Sequence, residues 1–136
     1  MTPQEQRLHY PLGDQLPAPG DTLEVAPGVF WLRMGLPFAL DHINLWLLRD
    51  VRDGVMGWTA VDCGIDNPLT RQHWQAVLDK HLQGAPLWRV IVTHMHPDHL
   101  TLISMALLKQ TGGPRGSPRR VRTISCQLRQ ISTPRR

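Results

Sequence analysis

An α/β layered fold follows from three observations. Four short apolar or alternating runs, rich in Val, Leu, Phe and Trp, lie between Thr22 and Asp62 and have strand character. One segment with helical apolar spacing and clear start and stop signals comes next. A further apolar run over residues 88–93 then leads into a second helical segment. Strand, helix, strand, helix is the order of layered α/β packing, which places sites at the C-terminal ends of strands.

Residues 1–21 are rich in proline and polar side chains and read as an extended lead-in. Residues 22–26 and 29–33 form two strands punctuated by Pro27-Gly28, and residues 43–48 a third, buried strand. The charged, Gly-containing segment 49–57 turns the chain into a fourth strand, 58–62, which ends on the carboxylate of Asp62. Asn67 then caps a helix, Pro68 suits its first position, and Gly84 lies just past its end. Leu69, Trp74, Val77, Leu78 and Leu82 share one face of that helix, with His73 and His81 on its border as partly exposed residues. The strand over residues 88–93 runs into a His-rich turn and a helix over residues 100–110. Gly112-Gly113-Pro114 ends that helix. The domain proper is thus residues 22–111, and residues 112–136 have the composition of a disordered, Arg-rich tail.

Composition narrows the possibilities. A chain of 136 residues with 41% hydrophobic content fits one small domain. No apolar run approaches the ~20 residues of a membrane span. The N-terminus has no apolar signal core, so a cytoplasmic location is the expectation. Two cysteines, Cys63 and Cys126, are too few for a disulfide framework or a Cys-based zinc site. The net charge of +4 divides unevenly: residues 1–114 carry −3, and residues 115–136 carry +7 from seven arginines without an acid. The basic character belongs to the tail. Nucleic acid is not the expected partner, because the tail offers no aromatic residue for base stacking. The expected partner is a small-molecule substrate.

Chemistry concentrates in His94-Met95-His96-Pro97-Asp98-His99, which holds three imidazoles and a carboxylate. These are the ligand types of zinc and its first-row neighbours. Extended backbone alternates sides, so His94 and His96 point the same way and Met95 the other. Pro97 disfavours helix at His96, and Asp98 and His99 sit at the entry to the next helix. Two donor pairs, His94/His96 and Asp98/His99, suit two adjacent metals sharing a water whose pKa falls to ~7. The bland alternatives are a polar turn facing solvent and a single structural metal.

Thr93-His94-Met95-His96-Pro97-Asp98-His99 resembles the H-x-H-x-D-H signature of the metallo-β-lactamase fold hydrolases. Residues 24–30 resemble that family's first hairpin, Asn44-Leu45-Trp46-Leu47-Leu48 its Asn-led strand, and Val61-Asp62-Cys63-Gly64 its D-x-G strand end. The resemblance covers about residues 22–100 and is nearest to the glyoxalase II/thioesterase-like branch. It implies the N-terminal half of an αββα sandwich. It also implies a di-zinc hydrolase of esters, thioesters or lactones acting through metal-activated water, with iron or manganese compatible with the same donors. On this resemblance His94 and His96 bind the first metal. Asp98 and His99 bind the second, with Asp98 also the catalytic, proton-handling residue. Asp62 supports the ligands from behind.

The chain departs from that pattern. Thr101 stands where the family has Gly, and no His, Asp or Glu follows His99. The family's second half supplies a third His, a bridging Asp and a final His that this chain lacks. The acid-free continuation is expected to mark a truncation, or a shifted reading frame between Leu100 and Pro114. Alternatives to the hydrolase are an inactive truncated fragment that binds metal weakly, self-associating through an uncovered sheet face, or a module binding nucleic acid or an acidic partner through the tail.

Overall fold

The computed structural model describes residues 7–94, 96–100 and 122–125, the last four as backbone. Six strands form one sheet in sequence order: β1 (Leu23–Ala26), β2 (Val29–Gly35), β3 (His42–Arg52), β4 (Val55–Val61), β5 (Leu87–Val92) and β6 (Arg122–Ser125). Strands β1 to β4 are an antiparallel meander. The helix α1 (Pro68–His81) then returns the chain so that β5 pairs parallel with β4, and β6 parallel with β5. A one-turn helix, α2 (Pro97–Leu100), follows β5.

Alternation makes the sheet two-faced. Phe30, Leu32 and Met34 of β2 and Ile43, Leu45 and Leu47 of β3 are buried on the face that α1 covers with Trp74, Val77 and Leu78. On the opposite face Trp31 and Trp46 stack with centroids 6.5 Å apart, and Trp31 Nε1 donates to Asn44 Oδ1 at 2.9 Å. No helix among the described residues is long and apolar enough to cross a membrane.

The helix starts as its sequence predicts. Asn67 is extended (φ −144°) and its Oδ1 accepts from Thr70 N at 2.8 Å, with Pro68 opening the helix. One residue of the expected apolar face is misplaced: Leu69 is 55% exposed, and Thr70 takes the buried position in the first turn. Both border histidines, His73 and His81, are half-buried.

Two boundaries differ from expectation. The segment 49–57 is strand for most of its length, because Asp53 (φ 50°) and Gly54 (φ 76°) alone make the turn. Positive φ at both central residues is the type I′ geometry whose twist matches the strands it joins. Charged residues there are tolerated because that end of the hairpin is exposed. Within the segment expected to be a disordered tail, Arg122–Ser125 instead form β6. The β-branched Thr123 and Ile124 suit a strand, and their backbone pairs the outer edge of β5. The rest of the tail and nearly all of the helix expected over residues 100–110 lie outside the described residues, as does Met95. The lead-in is tied down at its end, where Lys80 Nζ donates to Asp21 Oδ1 at 2.5 Å and Thr22 Oγ1 meets His81 Nε2 at 2.8 Å.

Candidate metal centre

The candidate site forms at the C-terminal ends of the parallel pair β4 and β5. The chain leaves β4 through Asp62 and Gly64, both at positive φ (58° and 81°), with Cys63 buried between them. Asp tolerates the left-handed region better than most residues, and glycine tolerates it freely. A Cβ at Gly64 would also lie 3.0 Å from Thr70 Cγ2, so the buried Thr70 side chain would have to give way. Trp74 Nε1 donates to Cys63 O at 2.7 Å, which fixes the turn to α1.

This turn aims the buried Asp62 carboxylate at the next strand end. Its Oδ1 accepts from Thr93 N at 2.8 Å and its Oδ2 from Thr93 Oγ1 at 2.7 Å. His99 Nδ1 lies 2.9 Å from the same Oδ2. One carboxylate thereby binds the start of the His-rich turn to α2. Its three donors offset the cost of burying a charge.

Around this anchor the four predicted ligand residues lie in two pairs, with His99 alone of the four in direct contact with Asp62. His94 Nε2 and His96 Nδ1 are 3.2 Å apart, with ring centroids 4.5 Å apart. His99 Nε2 and Asp98 Oδ2 are 3.5 Å apart. The two pairs adjoin, since the His94 and His99 centroids are separated by 3.8 Å. Zinc binds imidazole nitrogen at ~2.0–2.1 Å, so two donors on one tetrahedral ion lie about 3.3 Å apart. Each pair therefore has the donor types and the spacing to share an ion. Among the described residues, however, no group of three or more His, Cys, Asp or Glu is arranged to hold one. The site consists of two adjoining half-sets of ligands.

Sequence reasoning placed His94, His96, Asp98, His99 and Asp62 together, and the structure brings all five into one locality. It missed the part played by Thr93. Its hydroxyl touches Asp62, lies 3.0 Å from His94 Nδ1, and is 3.5 Å from His99 Nδ1. The available signal was a hydroxyl residue immediately before the first histidine.

No protein-family profile matches the chain, and no curated protein sequence does. Solved structures do. A beta-lactamase domain protein from Burkholderia ambifaria is 57% identical and superposes with a TM-score of 0.73 over 88% of this chain. The match takes in 36% of that protein, so the chain spans about a third of its length. A metallo-beta-lactamase family protein from Thermus thermophilus is 26% identical over 56% of this chain and 24% of its own, with a TM-score of 0.45. The metallo-beta-lactamase FIM-1 from Pseudomonas aeruginosa, solved in a mono-zinc form, is 18% identical over 82% of this chain and 43% of its own, with a TM-score of 0.47. These structural neighbours are metallo-β-lactamase fold proteins, and this chain is built as part of a metallo-β-lactamase fold.

Proposed function

We propose that the chain carries part of the active site of a metal-dependent hydrolase of esters, thioesters or lactones, in the thioesterase-like branch of the fold. The pairing of donors at the ends of β4 and β5, with separations of 3.2 and 3.5 Å, supports this reading. His94 Nε2 and His96 Nδ1 would hold one ion, and Asp98 with His99 Nε2 a second. Zinc fits these nitrogen and oxygen donors, as do iron and manganese. When bound, such an ion supplies Lewis acidity and lowers the pKa of a water to ~7. Asp98 is the group assigned to take up the proton as water is consumed, and Asp62 keeps His99 oriented through Nδ1. Further donors have to come from outside the residues after His99, which include no His, Asp or Glu. The reading includes a small-molecule substrate, a cytoplasmic location, and self-association through the sheet face that carries Trp31 and Trp46.

Zinc titration by calorimetry, with hydrolysis of a thioester, an ester and a lactone followed alongside, tests the proposal. Zinc binding and turnover that His96→Ala and Asp98→Ala both abolish would support it. A chain that takes up no zinc, iron or manganese would refute it. The two half-sets of ligands favour one second reading, weak metal binding without turnover. Stoichiometric zinc with no hydrolysis of any of the three substrates would select that reading.

A further inference from the structure

We infer that the hydroxyl of Thr93 sets the imidazole tautomer of His94, keeping its Nε2 free of a proton and open to a metal ion. Thr93 is then a positioning residue. The inference rests on the proposed metal-binding role of His94, but the tautomer is a property of the metal-free chain and is measured there.

The argument follows donors and acceptors. An ionised carboxylate only accepts, and a hydroxyl has one proton to give. Thr93 Oγ1 lies 2.7 Å from Asp62 Oδ2, so the hydroxyl donates its proton to the carboxylate. Its lone pairs remain, and His94 Nδ1 is 3.0 Å away. At that distance, facing an oxygen with no proton left, Nδ1 must be the donor. Neutral imidazole has one N–H, so a proton on Nδ1 leaves Nε2 bare. That Nε2 is the atom facing His96 Nδ1 at 3.2 Å.

His99 is fixed differently. Its Nδ1 is 3.5 Å from Thr93 Oγ1 but 2.9 Å from Asp62 Oδ2. The shorter contact, to the charged acceptor, takes its proton. Asp62 therefore orients His99 directly and His94 through Thr93, and both rings present a bare Nε2. His96 is the exception. Its Nδ1 can donate to the bare His94 Nε2 when no ion is present, so His96 must transfer its proton to Nε2 when a metal binds between them.

Thr93 is exposed, and water competes for His94 Nδ1. The hydroxyl therefore biases the tautomer by the net worth of one hydrogen bond, a ratio of roughly 2- to 12-fold.

Nitrogen NMR of histidine-labelled, metal-free protein tests this, at a pH where the rings are neutral. The wild type and Thr93→Ser should show His94 protonated on Nδ1. Thr93→Val and Thr93→Ala, which keep the backbone bond to Asp62, should shift the ratio toward Nε2–H by roughly 2- to 12-fold. Zinc affinity by chelator competition should fall by up to roughly 12-fold in Thr93→Val, the size of the tautomer shift, and recover in Thr93→Ser. A wild-type His94 protonated mainly on Nε2, or a ratio unchanged in Thr93→Val and Thr93→Ala, overturns the inference. Zinc that fails to bind even the wild type refutes the proposed function instead, and the NMR ratio still decides the tautomer.

Discussion

Asp62 is the residue on which the site depends most. It is buried, sits at positive φ, and accepts from a backbone N–H, a hydroxyl and an imidazole. Asp62→Asn keeps one oxygen for Thr93 N but puts an NH2 where His99 needs an acceptor. Hydrogen bonds to charged groups contribute about 1.5–3 kcal/mol, so Asp62→Asn should lower stability by roughly 1–2 kcal/mol. It should also weaken zinc binding by about 10–100-fold, because His99 loses the partner that fixes its tautomer. Asp62→Ala should be worse, since it orphans Thr93 N–H and places a poorly suited side chain at φ 58°. Urea midpoints with zinc titrations measure both effects. A midpoint equal to wild type in both variants would show that the three contacts contribute little. At this scale the candidate ligands were legible because imidazoles and carboxylates at metal spacing are rarely placed without a use. The hydroxyl of Thr93 was not, because a threonine in sequence does not reveal which partners its proton and lone pairs will meet.

Elements were legible where local chemistry dictates them. Asn67-Pro68 marks the start of α1, and alternation marks β2 and β3, since cap geometry and period-two burial are local properties. The β3–β4 boundary departs from the sequence expectation because Asp53-Gly54 turns the chain by itself, leaving the charged residues on either side in the strands. The exposure of Leu69 departs from expectation for another reason, since helical spacing does not say where the sheet begins to cover the helix. The β4–β5 pairing depends on a feature only the assembled sheet reveals. A Cβ at Gly57 would meet the Trp88 indole and lie 2.6 Å from Pro86 O, the backbone atom that accepts from Trp58 N at 2.9 Å. Backbone cannot yield there without losing that bond. Overpacking costs about 1–3 kcal/mol and occasionally more, so Gly57→Ala should destabilise by at least roughly 2 kcal/mol. Thermal unfolding measures it. A melting temperature unchanged from wild type would mean that β4 and β5 can separate at that end without penalty.

Across the whole molecule, the two faces of the sheet and the order of its strands follow from alternation and from the βαβ return through α1. The long-range ties do not, because they join residues far apart in sequence. The end opposite the candidate site shows this. There Thr22 Oγ1 meets His81 Nε2 at 2.8 Å, and the ring packs against Phe30 and Trp58 with centroids 4.8 and 5.5 Å away. Burial holds the His81 pKa below its ordinary value, with Lys80 and Arg49 acting in the same direction and Asp21 and Glu24 opposing them. Beside it Asp21 is held below the usual carboxylate range, first by its hydrogen bond from Lys80. Asp50 is held low likewise, first by the Thr59 hydroxyl and then by Arg89. The two kinds of shift act in different pH windows. A histidine with a depressed folded pKa takes up its proton more readily when unfolded, so its contribution is complete above ~6.5 and is lost as pH falls below that toward the folded pKa. Depressed aspartates contribute above ~3.9 and lose it as pH falls through their lower folded pKa. Urea unfolding should therefore show a lower midpoint at about pH 5.5 than at about pH 7.5, a range above that in which Asp21 and Asp50 act. His81→Gln retains an amide that can meet Thr22 but does not titrate, so the difference between the two pH values should shrink in that variant. An equal difference in wild type and His81→Gln would show that the His81 contact has no part in the loss.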